Sequence, residues 1–140
     1  MVGGFQLHFF RQSTSYRMIR DLLLVGTGSA IGGILRLLAG KAFMQVFTFP
    51  FPMATFVVNV SGSFLIGLLY AIFGKTASLS PSALLFLTTG LCGGFTTFSS
   101  FSYENLLLLK SGQYMMAAVY ILGSLVVGMI AVFAGYAFGK

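Results

Sequence analysis

The residues able to do chemistry in this chain sit inside long apolar runs. Residues 88–101 read Thr-Thr-Gly-Leu-Cys-Gly-Gly-Phe-Thr-Thr-Phe-Ser-Ser-Phe. Glycine in a helix interior costs about 1 kcal/mol relative to alanine. Hydroxyl side chains compete for backbone hydrogen bonds and cap helix ends. Gly90, Gly93 and Gly94 followed by Thr96, Thr97, Ser99 and Ser100 therefore predict a helix broken near Gly93–Thr97. Unwound backbone offers carbonyls to a cation, and the N-terminus of the following half-helix favours an anion. A glycine-rich packing notch is the simpler alternative. Phe98 and Phe101 are three apart and share a face. A phenyl ring has a negative face and a positive edge, so ring edges attract a small anion weakly without a fixed charge. With 16 phenylalanines in the chain, core packing is their competing role.

Three other stripes carry polar groups at helical spacing. Thr55, Asn59 and Ser63 are four apart, and Asn59 is a carboxamide deep in an apolar run. Its amide group offers two donors and its carbonyl an acceptor. It is either interhelical glue or a pore-lining donor. Tyr120, Ser124 and Gly128 repeat the spacing. Gly28, Gly32, Arg36 and Gly40 do so again, with Gly28 and Gly32 matching the small-xxx-small packing pattern. Arg36 either snorkels to the membrane interface or places its charge in an aqueous vestibule that attracts anions. Glu104 is a carboxylate near a span end. His8 stands alone and reads as a solvated tail residue. Cys92 is the sole cysteine, so no intrachain disulfide forms. No nucleophile–base pair and no nucleotide loop is visible, and an enzyme is not expected.

These residues need elements to hold them, and the composition says which. Of 140 residues, 57% are hydrophobic and 7% charged, with eight Lys and Arg against Asp21 and Glu104. Ten charges cannot cover a soluble surface, where roughly a quarter of residues are charged. The basic residues are scattered singly, so no stripe suits nucleic acid. The chain is read as an all-α integral membrane protein. A span needs roughly 20 apolar residues, and four fit: about 22–45, 53–73, 82–109 and 113–138. Pro50, Pro52 and Pro81 precede two starts, and Gly or Lys marks three stops. Residues 1–17 read as a disordered N-terminal extension preceding a channel-sized domain at 18–140, with Met18 as a natural start.

The basic residues split evenly between the two faces. From Met18 onward, Arg20, Lys75 and Lys140 share one side, and Arg36, Lys41 and Lys110 the other. The positive-inside rule then gives no clear direction. A fixed orientation set by the N-terminal arginines and a dual topology with an antiparallel homodimer both fit.

Residues 90–101 resemble the signature of the CrcB/Fluc family of fluoride channels. The likeness extends to Val57-Val58-Asn59, to Gly32-Gly33-x-x-Arg36 and to Tyr120 with Ser124, covering Met18 to Lys140. It implies a dual-topology antiparallel homodimer with two pores that export fluoride passively across a bacterial inner membrane, reducing fluoride toxicity. It further implies a structural sodium ion on the dimer axis, held by the carbonyls of Gly93 and Thr96. Phe98 and Phe101 would face fluoride, partly from across the dimer interface. Asn59 would be the pore-side donor, and Tyr120, Ser124 and Thr55 would complete the polar track. Arg36 would be structural or in a vestibule, and Glu104 near a pore mouth. Ser100 stands where the family often has Thr, and Phe95 where it often has an aliphatic residue.

Two other classes were weighed. A proton-coupled multidrug exporter needs a carboxylate deep in a span, and Asp21 and Glu104 are both near span ends. A non-conducting structural membrane protein gains nothing from a helix that loses backbone hydrogen bonds.

Overall fold

The computed structural model describes residues 3–46, 51–75 and 80–140, with side chains from Ser15 onward except at 44–46 and 75. The side chain of the tail residue His8 and most of the two linkers, Phe49–Pro52 and Thr76–Ser80, lie outside what is described. All regular structure among the described residues is helical: α1 (Gly3–Val46), α2 (Met53–Lys75), α3 (Pro81–Leu85), a π-helical stretch (Phe86–Cys92), α4 (Gly93–Phe95), α5 (Phe98–Lys110) and α6 (Tyr114–Gly139). Four segments are long and apolar enough to cross a membrane: Ser15–Phe43, Met53–Gly74, Pro81–Lys110 and Tyr114–Gly139. The backbone of α1 is helical from Gly3, so the segment expected as an extension continues into the first span. Arg20 and Asp21 pair at 3.1 Å beside one another near the start of that span, both largely exposed.

Local chemistry sets the ends of the third span. Ser80 caps α3, its side chain accepting the Ala83 N–H at 3.2 Å, and Pro81 follows where a missing N–H costs nothing. Thr88 Oγ1 donates back to the Leu84 carbonyl at 2.8 Å. The ladder then widens to π spacing through Cys92, with the Gly93 N–H reaching the Thr88 carbonyl. Helical dihedrals stop after Phe95. Thr96 (ψ 159°) and Thr97 (φ −150°, ψ 119°) are extended, and Phe98 resumes the helix. Thr97 caps the new helix by accepting the Ser100 N–H at 3.3 Å. At its far end Gly112 takes φ 76°, a left-handed turn that glycine adopts without strain, and the Gln113 N–H returns to the Leu108 carbonyl at 2.9 Å.

Two backbone-to-backbone contacts build the bundle. In hydrocarbon no hydrophobic drive pulls helices together, so close packing of small residues must do it. α1 lies against the π stretch and α4: a Cβ on Gly32 would strike the Leu91 carbonyl, and one on Gly94 the Ser29 carbonyl. α2 lies against α6 in the same way, through Gly67 at the Val132 carbonyl and Gly135 at the Phe64 carbonyl. α5 rests on α6 through Leu108, Ala117 and Tyr120, with Phe51, Phe56 and Phe101 around them. The outward faces carry exposed Leu22, Leu23, Leu125, Val126, Ile130 and Phe133, which suits a hydrocarbon solvent.

Candidate functional site

The site is built around the two extended residues between α4 and α5. In an unbroken helix the Thr97 N–H would donate to the Gly93 carbonyl. Here it donates to Asn59 Oδ1 at 2.8 Å, and Asn59 Nδ2 donates to the Thr97 carbonyl at 3.1 Å. One carboxamide on α2 thus satisfies both backbone groups of a buried threonine. The Thr96 carbonyl accepts from Arg36 Nη1 at 3.3 Å. The Thr96 N–H and hydroxyl both turn back to the Cys92 carbonyl, at 3.0 and 2.9 Å. On α1, Ser29 Oγ donates to the Gly90 carbonyl at 3.3 Å, inside the π stretch. Backbone freed from its ladder is therefore taken up by neighbouring helices, as a low-dielectric setting requires.

Two cavities flank this point. One, of about 330 Å³, is lined by Asn59, Ser63, Thr96, Thr97, Phe98, Phe101, Cys92 and Ser124 among others, and among the described residues no charged one borders it. Ser124 Oγ is buried there with no protein partner. The other, of about 340 Å³, is lined by Arg36, Lys41, Thr55, Thr97, Ser100 and Glu104 with Gly33, Leu37, Gly40, Ala54 and Val58. Thr97 borders both.

The candidate residues fall into three groups. Asn59, Phe98, Phe101 and Ser124 meet at the uncharged cavity. Arg36, Thr55 and Glu104 meet at the charged one. Tyr120 lines neither of these cavities. It is fully buried, its ring edge-on to Phe101 (centroids 4.9 Å) and Phe51 (5.1 Å), and its hydroxyl donates to Glu104 Oε2 at 2.7 Å. Thr55 donates to the other carboxylate oxygen at 2.6 Å. Two of the three hydroxyls expected on the polar track, those of Thr55 and Tyr120, are thus directed at Glu104. Phe98 stacks obliquely on Phe101 (5.8 Å, 40°) yet is 79% exposed, so its ring is left uncovered by its own chain.

Gly93 and Thr96, the carbonyls singled out for a cation, sit at this interruption. The Gly93 carbonyl has lost the Thr97 donor, and the Thr96 carbonyl lies beyond the last helical residue. Among the described residues no cluster of three or more His, Cys, Asp or Glu stands ready for a metal. Two participants escaped the reading of the sequence. Lys41 lines the charged cavity, and its only signal was its place five residues beyond Arg36. Asn105 is buried, donates to the Phe101 carbonyl at 2.8 Å and leaves its Oδ1 unpaired. A carboxamide four residues after Phe101, leading into Leu106–Leu109, was the available sign.

Four apolar spans enclosing hydroxyls and amides define a small multi-pass membrane protein. Comparison with known proteins places it more narrowly. Residues 23–136 match the family model described as CrcB-like protein, Camphor Resistance (CrcB). The chain is 48% identical over 120 residues to a protein of Agrobacterium fabrum, covering 86% of this chain and 96% of the other. It is 46% identical over 114 residues to one of Chlorobium chlorochromatii, covering 81% and 88%. It is 47% identical over 119 residues to one of Rhizobium meliloti, covering 85% and 95%. All three are named fluoride-specific ion channel FluC. This chain belongs to the CrcB family.

Proposed function

We propose that this chain is a fluoride-specific channel of a bacterial plasma membrane, a passive pore that lets fluoride leave the cytoplasm and so limits its toxicity. The observation that carries the reading is the uncharged cavity beside the interruption. It offers Asn59, two phenyl rings and the unpartnered Ser124 hydroxyl to a small anion, on a chain whose relatives are named for fluoride. Fluoride is strongly hydrated, so a pore must replace its water with donors and polarised ring edges, each loose enough to release it. Arg36 and Lys41 give the adjoining cavity a positive excess over Glu104, which favours an anion at that mouth.

The functional unit we propose is an antiparallel homodimer of dual topology, with the third span interrupted at mid-membrane. Two features support it: the even split of basic residues after Met18, and the Phe98 ring left 79% exposed. A second copy would cover that ring and complete the anion path.

The Gly93 carbonyl fits a sodium ion, since its helical donor is engaged elsewhere. The Thr96 carbonyl fits it with its second lone pair, the first being taken by Arg36. Bound there, sodium would supply positive charge that offsets the cost of an anion at mid-bilayer. The chain's own residues orient these carbonyls: Asn59 by drawing the Thr97 N–H away, and the Thr96 hydroxyl by anchoring to Cys92.

Purified protein in liposomes loaded with fluoride tests the function. After a potassium ionophore is added, an electrode should record fluoride efflux, with chloride retained. Retained fluoride, or drug–proton exchange in its place, would sink the proposal.

A further inference from the structure

The Thr96 carbonyl and the Thr97 N–H belong to one peptide group, and side chains from two different helices hold its two ends. Asn59 on α2 accepts the N–H at 2.8 Å, and Arg36 on α1 donates to the carbonyl at 3.3 Å. Arg36 reaches it because α1 and α4 touch backbone to backbone at Gly32, one turn before Arg36. The carbonyl lies at the C-terminal end of the helical run that begins at Pro81, where unsatisfied carbonyls gather negative partial charge. A guanidinium there makes a charge-assisted bond. Arg36 has no carboxylate at ion-pair distance, although Glu104 borders the same cavity; the one salt bridge among the described residues is Arg20–Asp21.

We infer that Arg36 is a positioning residue for the conduction path. Together with Asn59 it fixes the plane of the Thr96–Thr97 peptide, and through that plane the direction in which α5 departs and the placement of Phe98 and Phe101. Its charge serves the backbone first and any passing anion second. The two roles differ in what they do to transport. A positioning residue sets how well the path conducts once fluoride is present. An anion attractor sets how much fluoride is needed.

The inference rests on the fluoride-channel reading for its flux measurement, and hydrogen exchange supplies a readout independent of it. Arg36→Met and Arg36→Lys are compared with the wild type in liposomes over a range of fluoride concentrations, and in nanodiscs by amide exchange. One lost charge-assisted hydrogen bond corresponds to roughly tenfold or more in local opening. Arg36→Met should lower maximal flux by roughly that factor, with the half-saturating fluoride concentration nearly unchanged. Exchange at 97–101 should rise by a similar factor while α6 stays protected. Arg36→Lys, which keeps a charged donor, should recover most of both. If Arg36→Met fails to assemble, Arg36→Gln is judged by the same readouts. A raised half-saturating concentration with unchanged maximal flux and unchanged exchange overturns the inference and makes Arg36 an anion attractor. Wild-type protein without fluoride flux overturns the channel reading instead, and the exchange result then decides Arg36 by itself.

Discussion

Replacing Asn59 separates its two roles. Asn59→Leu keeps the approximate volume and removes both bonds to Thr97, at 3.1 and 2.8 Å. Thr97 is buried, so its N–H and carbonyl would each lose their partner. An unsatisfied buried backbone group costs about 1–3 kcal/mol. The adjoining cavity of about 330 Å³ has room for water to re-solvate one of the two. The net loss should therefore be roughly 1–3 kcal/mol, about 5- to 150-fold in the folded-to-unfolded ratio. Asn59→Asp retains an acceptor for the Thr97 N–H but sets a carboxylate oxygen against the Thr97 carbonyl and a negative charge beside the anion path. It should abolish fluoride flux even where it folds. An SDS unfolding titration measures the stability term, and liposome efflux the transport term. Wild-type stability in Asn59→Leu would refute the claim that this carboxamide holds the interruption. Wild-type flux in Asn59→Asp would refute its position beside the path.

Three further outcomes test the rest of the site. Phe98→Ile and Phe101→Ile should each cut fluoride flux roughly 3- to 10-fold, the worth of about 0.5–1.5 kcal/mol per ring-edge contact, while size-exclusion chromatography shows unchanged assembly; full flux in both would remove the rings from the path. Tyr120→Phe should cost about 1.5–3 kcal/mol, the usual contribution of a hydrogen bond to a charged group, and leave fluoride-over-chloride selectivity intact, because its hydroxyl serves Glu104; a collapse of selectivity in efflux assays would return Tyr120 to the anion path. Gly67→Ala should destabilise by about 1–3 kcal/mol or more, as overpacking does, whereas Gly123→Ala, with nothing within 4 Å of a new Cβ, should be neutral or stabilising by up to about 1 kcal/mol in the same SDS titration; equal behaviour of the two would count against the α2–α6 contact.

Much of this arrangement was legible in the residues, for identifiable reasons. The number of spans follows from apolar run length, because the bilayer imposes it. The interruption at Thr96–Thr97 falls inside the stretch where glycines and hydroxyls cluster, since both weaken the same ladder. Asn59 was open between glue and pore donor, and the geometry gives it the first duty while leaving it beside the cavity. Other features are decided by distance across helices, which spacing along one helix does not encode. Nothing in Thr55 or Tyr120 signals that both hydroxyls converge on Glu104. The pairing needs α2, α5 and α6 assembled. The widened ladder at Phe86–Cys92 is less legible: apart from Gly90 its residues are ordinary helix and strand formers, and the widening appears where α1 presses Gly28 and Ser29 onto it.

The division into two cavities constrains how an anion can pass. Thr97 borders both, so the peptide that Arg36 and Asn59 hold is also the wall between a charged chamber and an uncharged one. On the charged side the Thr55 hydroxyl already points at the Glu104 carboxylate, at 2.6 Å. An anion there would meet the Arg36 and Lys41 cations and the Glu104 carboxylate together, so attraction and repulsion partly offset. On the uncharged side, Ser124 has no protein partner and Asn59 has one amide hydrogen left over after Thr97. Past the wall, next to the phenyl rings, the donors carry no charge. In the proposed channel, a charged mouth followed by uncharged donors would give the order in which fluoride enters, sheds water and leaves, with the Thr96–Thr97 peptide at the meeting of the two chambers.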